Sequence, residues 1–208
     1  MFESMKQETK ITLSDKELEL VCNTDWILMK QIIIDKVYHL FGVQAELMQQ
    51  YIIKEKKYLP EEVNGSSPKI SKGENYGGLP YIMLDYPRCF EKEKTLAIRT
   101  MFWWGNFFSM HLQLSGKCKE AALGTLQKSF LMLQQNDYWV CISDDPWQHH
   151  FDADNYLYLK DCTEDIFASI LNRESFVKIG KKIALKQWKE APTFIEQSFI
   201  ELISLLKN

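Results

Sequence analysis

The segment Asp144-Asp145-Pro146-Trp147-Gln148-His149-His150-Phe151-Asp152-Ala153-Asp154 gathers four carboxylates and two imidazoles. Carboxylate oxygen and imidazole nitrogen are the ligand types of zinc, manganese and iron sites. His149, His150, Asp152 and Asp154 are the candidate ligands of a divalent metal, and a metal-activated water there would make the chain a hydrolase. The spacing fits no established ligand motif. Asp152-Ala153-Asp154 opens like a calcium loop, but Leu157 stands where that loop needs glycine and Thr163 where it needs glutamate. The competing reading is a solvated connection, because Asp144-Asp145-Pro146 is ordinary turn chemistry. No cofactor other than such a metal is expected.

A second constellation lies on two aromatic runs, Thr95 to Trp104 and Phe107 to Ser115. Gly105-Asn106 between them suits a two-residue hairpin turn. That turn sets Trp104 opposite Phe107, Thr100 opposite His111 and Arg99 opposite Leu112. One face then holds Ala97, Arg99, Met101, Trp103, Phe108, Met110, Leu112 and Leu114. Arg99 is its one charge, and a buried charge needs a partner. Asp85 on the preceding strand is the first candidate, and a ligand carboxylate or phosphate the second, since the guanidinium fork suits both. The other face sets Thr100, Ser109 and His111 beside Phe102 and Trp104. An apolar hollow with a few convergent polar groups is how small-molecule sites are built. The plainer reading is a hydrogen-bonded core histidine in a hairpin covered by helices on both sides.

These residues need a scaffold. Ser14-Asp15-Lys16-Glu17 forms a capping box that starts a short helix, and Thr24 caps a second. Trp26, Met29, Ile33, Val37 and Leu40 recur at helical spacing as its buried stripe, and Gly42 marks its end. A third helix runs from Val43 to about Lys56. Residues 57–79 carry turn formers in quick succession and are read as a long loop, a lid beside the site. Strands follow at 81–86, at the two hairpin runs, at 138–143 and at 156–159. Helices are expected over 117–135, with Leu123, Leu126, Phe130 and Leu133 on one side, and over 162–172, 175–189 and 192–207. In the 175–189 stretch, Lys178, Lys181, Lys182, Lys186 and Lys189 read as a solvated helix face.

The order of elements indicates one α+β domain over 1–208: a helical part at 13–56, the loop 57–79, a sheet-containing part at 80–160 and C-terminal helices at 162–207. Its antiparallel sheet has about five strands, with the aromatic hairpin 95–115 at the centre and six or seven helices around it. The 208 residues carry a net charge of −3, which lacks the basic excess of a nucleic-acid binder. The polar start, Met1 to Glu8, has no apolar leader core, and no window is apolar enough to span a bilayer. Five widely spaced cysteines without a CxxC pair suit reduced thiols in the cytoplasm. Phosphate-loop, nucleophile-elbow, zinc-protease and kinase motifs are absent. The expected function is small-molecule binding, of an anionic ligand if Arg99 takes part, at Arg99, His111, Asp85, Thr100, Ser109 and Trp104. Protein interaction and metal-assisted hydrolysis through loop 144–154 are the alternatives.

Overall fold

The computed structural model describes residues 11–173 and 175–207. The polar Met1–Glu8 segment lies outside them. The chain divides into two compact units, Met1–His39 and Leu40–Asn208. The capping box forms as the sequence indicates: Ser14 caps α1 (Asp15–Cys22), with Glu17 bonded back to it. Asn23 rather than Thr24 caps the next helix, accepting from the Trp26 amide at 2.9 Å. That helix, α2 (Thr24–Glu55), runs through Gly42 without a break. Nothing crowds Gly42, and one interior glycine costs a helix only about 1 kcal/mol. Trp26 and Met29 are exposed rather than buried, whereas Phe41, Ala45, Met48 and Ile52 enter the core.

Residues 57–79 are not a loop. They hold a short helix α3 (Glu61–Asn64) and an edge strand β1 (Lys69–Tyr76). Gly77 and Gly78, both at positive φ (56° and 81°), make the two-residue turn into β2 (Leu79–Glu91). β2 continues past Pro87 through a bulge between Asp85 and Arg88. β3 (Lys94–Trp103) and β4 (Phe107–Ser115) form the aromatic hairpin. They are followed by α4 (Gly116–Lys128), α5 (Phe130–Gln135), β5 (Trp139–Cys141), β6 (Tyr156–Tyr158), α6 (Glu164–Leu171), β7 (Phe176–Ala184) and α7 (Ala191–Ser204). The expected helix at 117–135 is thus split at Ser129, whose hydroxyl bonds the Thr125 carbonyl at 2.8 Å.

The strands make one antiparallel sheet of seven, in the order β1-β2-β3-β4-β7-β5-β6. Of the expected helix 175–189, Phe176–Ala184 is instead a central strand, and a 3-10 helix, Leu185–Glu190, follows it. Val177 and Ile179 alternate with Lys178 and Gly180, and β7 fills the gap between β4 and β5. The hairpin loop has three residues, so Trp103 rather than Trp104 faces Phe107. The whole register moves by one. A one-residue slip turns every side chain of one strand to the other face.

One face therefore carries Leu96, Ile98, Thr100, Phe102, Phe108, Met110, Leu112 and Leu114, all buried. Helices α4 and α7 cover it, and Trp188 packs edge-on against Phe102 and Phe108. The opposite face carries Asp85, Arg99, Met101, Trp103, Phe107, Ser109, His111, Gln113 and Lys178. On that side of the hairpin lies the loop between β5 and β6, with Phe151 buried among Trp103, Phe107 and Tyr156.

Gly180 shows how tightly this layer is built. A Cβ there would stand 2.5 Å from His111 Nδ1 and 2.8 Å from the Met110 carbonyl oxygen. Gly180→Ala is expected to lower stability by about 1–3 kcal/mol, as overpacking does. Urea unfolding checks this; an unchanged midpoint and slope would show that the histidine side of the sheet is loosely packed.

Candidate functional site

Strand pairing places Asp85, Arg99, His111 and Gly180 in one row across β2, β3, β4 and β7. Ala97, Gln113 and Lys178 form the next row on the same face. Arg99 Nε donates to Asp85 Oδ1 at 2.7 Å, and Nη2 reaches Oδ2 at 3.4 Å. The paired side chains are nearly buried, at 12% and 9% exposure. Nη1 of Arg99 is buried and has no hydrogen-bond partner among the described residues, and neither has Oε1 of Gln113. The guanidinium carbon lies 5.6 Å from the centre of the Phe90 ring and 5.3 Å from that of Trp147. These two rings are 5.9 Å apart, and they remain 42% and 54% exposed.

Lys178 is fully buried. No carboxylate pairs with it among the described residues. Its Nζ instead meets the Pro146 carbonyl at 3.0 Å, the Gln148 carbonyl at 2.5 Å and His149 Nδ1 at 3.1 Å. Three acceptors match the three N–H bonds of an ammonium. The two carbonyls flank Trp147, so the lysine fixes the stretch of loop that sets the indole over Arg99. Burial pulls the Lys178 ammonium down to about 7, and the positive field of Arg99 adds to this.

His111 is held on both nitrogens, Nε2 by Ser109 Oγ at 2.9 Å and Nδ1 by Tyr156 Oη at 2.8 Å. Phe151 stacks on its ring at 5.3 Å, and His149 lies at 5.4 Å. Burial first, then Lys178 and Arg99, push the His111 imidazole well below its ordinary range. His149 is pushed down by burial, Lys178 and His111. Both rings are neutral at neutral pH and buried, and His111 is held on both nitrogens, a poor arrangement for a base that must reach a substrate proton.

The loop also brings His150, Asp152 and Asp154 together, with donor atoms within 4.8 Å of one another. His149 does not join them; it is buried on Lys178. Tyr76 decides the chemistry of this group. Its oxygen accepts the His149 amide at 2.5 Å and the His150 amide at 3.0 Å. Its own hydrogen is therefore free to go to His150 Nδ1, 2.9 Å away. A neutral ring that accepts at Nδ1 carries its proton on Nε2. That nitrogen faces Asp154 at 3.4 Å. A histidine–aspartate hydrogen bond uses this tautomer, whereas a metal at Nε2 would need the other one.

Of the residues singled out in the sequence, Asp85, Arg99, Ser109 and His111 thus share one face. Thr100 and Trp104 are separated from them: Thr100 is buried on the helix-covered face, and Trp104 lies in the turn, edge-on to Phe102 at 5.4 Å. Lys178, Tyr76, Tyr156, Phe90 and Trp147 are the members that sequence reasoning left out. The alternation of Lys178 and Gly180 with Val177 and Ile179 was the available signal for the first.

The pH dependence of stability follows from these environments. Unfolded histidine takes up a proton near 6.5, while His111 and His149 resist it in the fold, so stability drops below pH 6.5 by about 1.4 kcal/mol per pH unit for each. Lys178 adds a second slope. Between about 7 and 10.5 the unfolded lysine holds a proton that the folded one releases, so stability rises with pH over that window. Buried Cys118, pushed up to about 11, opposes it above pH 9. Urea unfolding from pH 5 to 9 should show the rise, with Lys178→Met flattening the part above 7; equal slopes in both proteins would refute the lysine's role. Calorimetric titration with zinc or manganese should give only dilution heat, and a stoichiometric signal lost in His150→Ala would establish a metal centre instead.

No helix among the described residues is long and apolar enough to cross a membrane. No family model, curated protein or solved structure matches the chain.

Proposed function

We propose that the chain is a binding domain for a small planar anion, seated at Arg99 between the rings of Phe90 and Trp147. One observation carries the reading: a buried guanidinium nitrogen, Arg99 Nη1, without a hydrogen-bond partner among the described residues, beneath two large aromatic rings that are half exposed. Leaving a charged donor unpaired is costly, and so is leaving the apolar surface of two large rings half exposed to water. A ligand with a flat ring and a carboxylate or phosphate relieves both, by stacking on the rings and accepting from Nη1. Access to Nη1 requires Trp147 to shift, and the indole sits on a loop stretch whose flanking carbonyls are held by Lys178.

Phe90 also borders a cleft of about 380 Å³, a volume typical of small-molecule sites. Glu61, Glu62 and Glu91 outnumber Arg88 and Lys94 there, and Lys94 is paired with Glu62 at 3.0 Å. The cleft suits the uncharged part of a ligand, and the anionic end belongs at Arg99.

Calorimetric titration with salicylate and adenosine monophosphate, using acetate and inorganic phosphate as non-planar controls, tests the proposal. The planar anions are expected to bind and the controls to give dilution heat. Trp147→Ala should weaken binding about tenfold, the worth of one aromatic stacking contact. Arg99→Lys keeps a cation beside Asp85 but removes Nη1, and it should weaken binding as well. Absence of heat with both planar anions, or affinities that neither substitution alters, would overturn it.

A further inference from the structure

The first unit carries an apolar surface of another kind. Between Leu18 and Ile32, eight large apolar side chains are 45–58% exposed, and residues 21–29 are exposed on every side. Exposed apolar surface of this extent on a helix marks a surface that a partner covers. Five of them, Trp26, Ile27, Leu28, Met29 and Ile32, lie on the leading part of α2.

We infer that a second copy of this chain covers this surface, in antiparallel pairing of the leading part of α2. Asp25, Met29, Ile32 and Lys36, all exposed, fall at i, i+4, i+7 and i+11. Eleven residues are almost three whole turns, so the four make one stripe along the helix. The stripe is acidic at one end, apolar in the middle and basic at the other. Antiparallel pairing about a two-fold axis between Lys30 and Gln31 sets Met29 against Ile32 of the partner subunit. It sets Asp25 against Lys36 of the partner subunit, and symmetry repeats that ion pair at the far end. Parallel pairing would oppose like charges at both ends. The charge pattern therefore selects both the occupant and its direction.

Sedimentation equilibrium and light scattering on the full chain test this. The wild type is expected to dimerise at micromolar concentration. Asp25→Lys turns both symmetry-related ion pairs repulsive and should weaken the dimer about tenfold; Lys36→Asp should do the same. The double variant Asp25→Lys/Lys36→Asp restores complementarity and should recover the wild-type dissociation constant. Ile32→Glu should give a monomer that, at concentrations where the wild type is also monomeric, unfolds at the wild-type temperature, since the position is exposed. A wild type that stays monomeric up to 100-fold higher concentration, or a dimer that the double reversal fails to rescue, overturns the inference. So does a monomeric wild type that floats with anionic phosphatidylserine vesicles, which would assign the surface to lipid.

Discussion

A lysine ammonium placed on the inner face of a central strand has to be surrounded by acceptors, because leaving it bare costs several kcal/mol. Lys178 meets this constraint with two loop carbonyls and an imidazole, not with a carboxylate. Much of the second layer of the molecule follows. The β5–β6 connection has to cross back over the sheet to bring the Pro146 and Gln148 carbonyls to the nitrogen. His149 must turn inward to complete the set. Phe151 then falls over His111 and Tyr156, stacked on the phenol at 4.6 Å, and Tyr76 ties down the two histidine amides. A segment whose composition suggests a solvated turn becomes the cover of a core.

The fold class was legible because it depends on signals that add over many residues. Alternation in the hairpin runs and the capping box at Ser14 each act locally, and the structure agrees with them. The register was not legible. It hangs on whether the turn has two residues or three, and Trp104 serves equally well as the last strand residue or as the first of the loop. β1 and β7 escaped for a related reason. Each carries lysine and glycine where strands usually carry branched residues: β1 because it is an edge in contact with water, β7 because the Lys178 nitrogen and the Gly180 backbone are both needed inside.

The candidate site divides along the same line. That Arg99 needs an anion could be argued from its place on an apolar strand, and Asp85 followed from topology. That His111 belongs beside Arg99 could not, since the assumed turn put them on opposite faces. Lys178 looked like part of a solvated run, because one sequence cannot distinguish a lysine that faces water from one whose acceptors arrive from a loop thirty residues upstream. Cation, carboxylate and aromatic rings meet at Arg99 through three separate elements: β2, β3 and the β5–β6 loop. Such a meeting is a property of tertiary structure alone.

Among the described residues the sheet has two free edges, and they end in different ways. β6 spans only Tyr156–Tyr158, too short to template another strand. β1 is longer, but it exposes Lys69 and Lys72, and its pairing with β2 is broken by a bulge between Gly73 and Tyr76. Charge and irregularity on an edge discourage a neighbouring chain from extending the ladder. The molecule is thus guarded against fibril-like stacking through its backbone, and any specific self-association must be made through side chains.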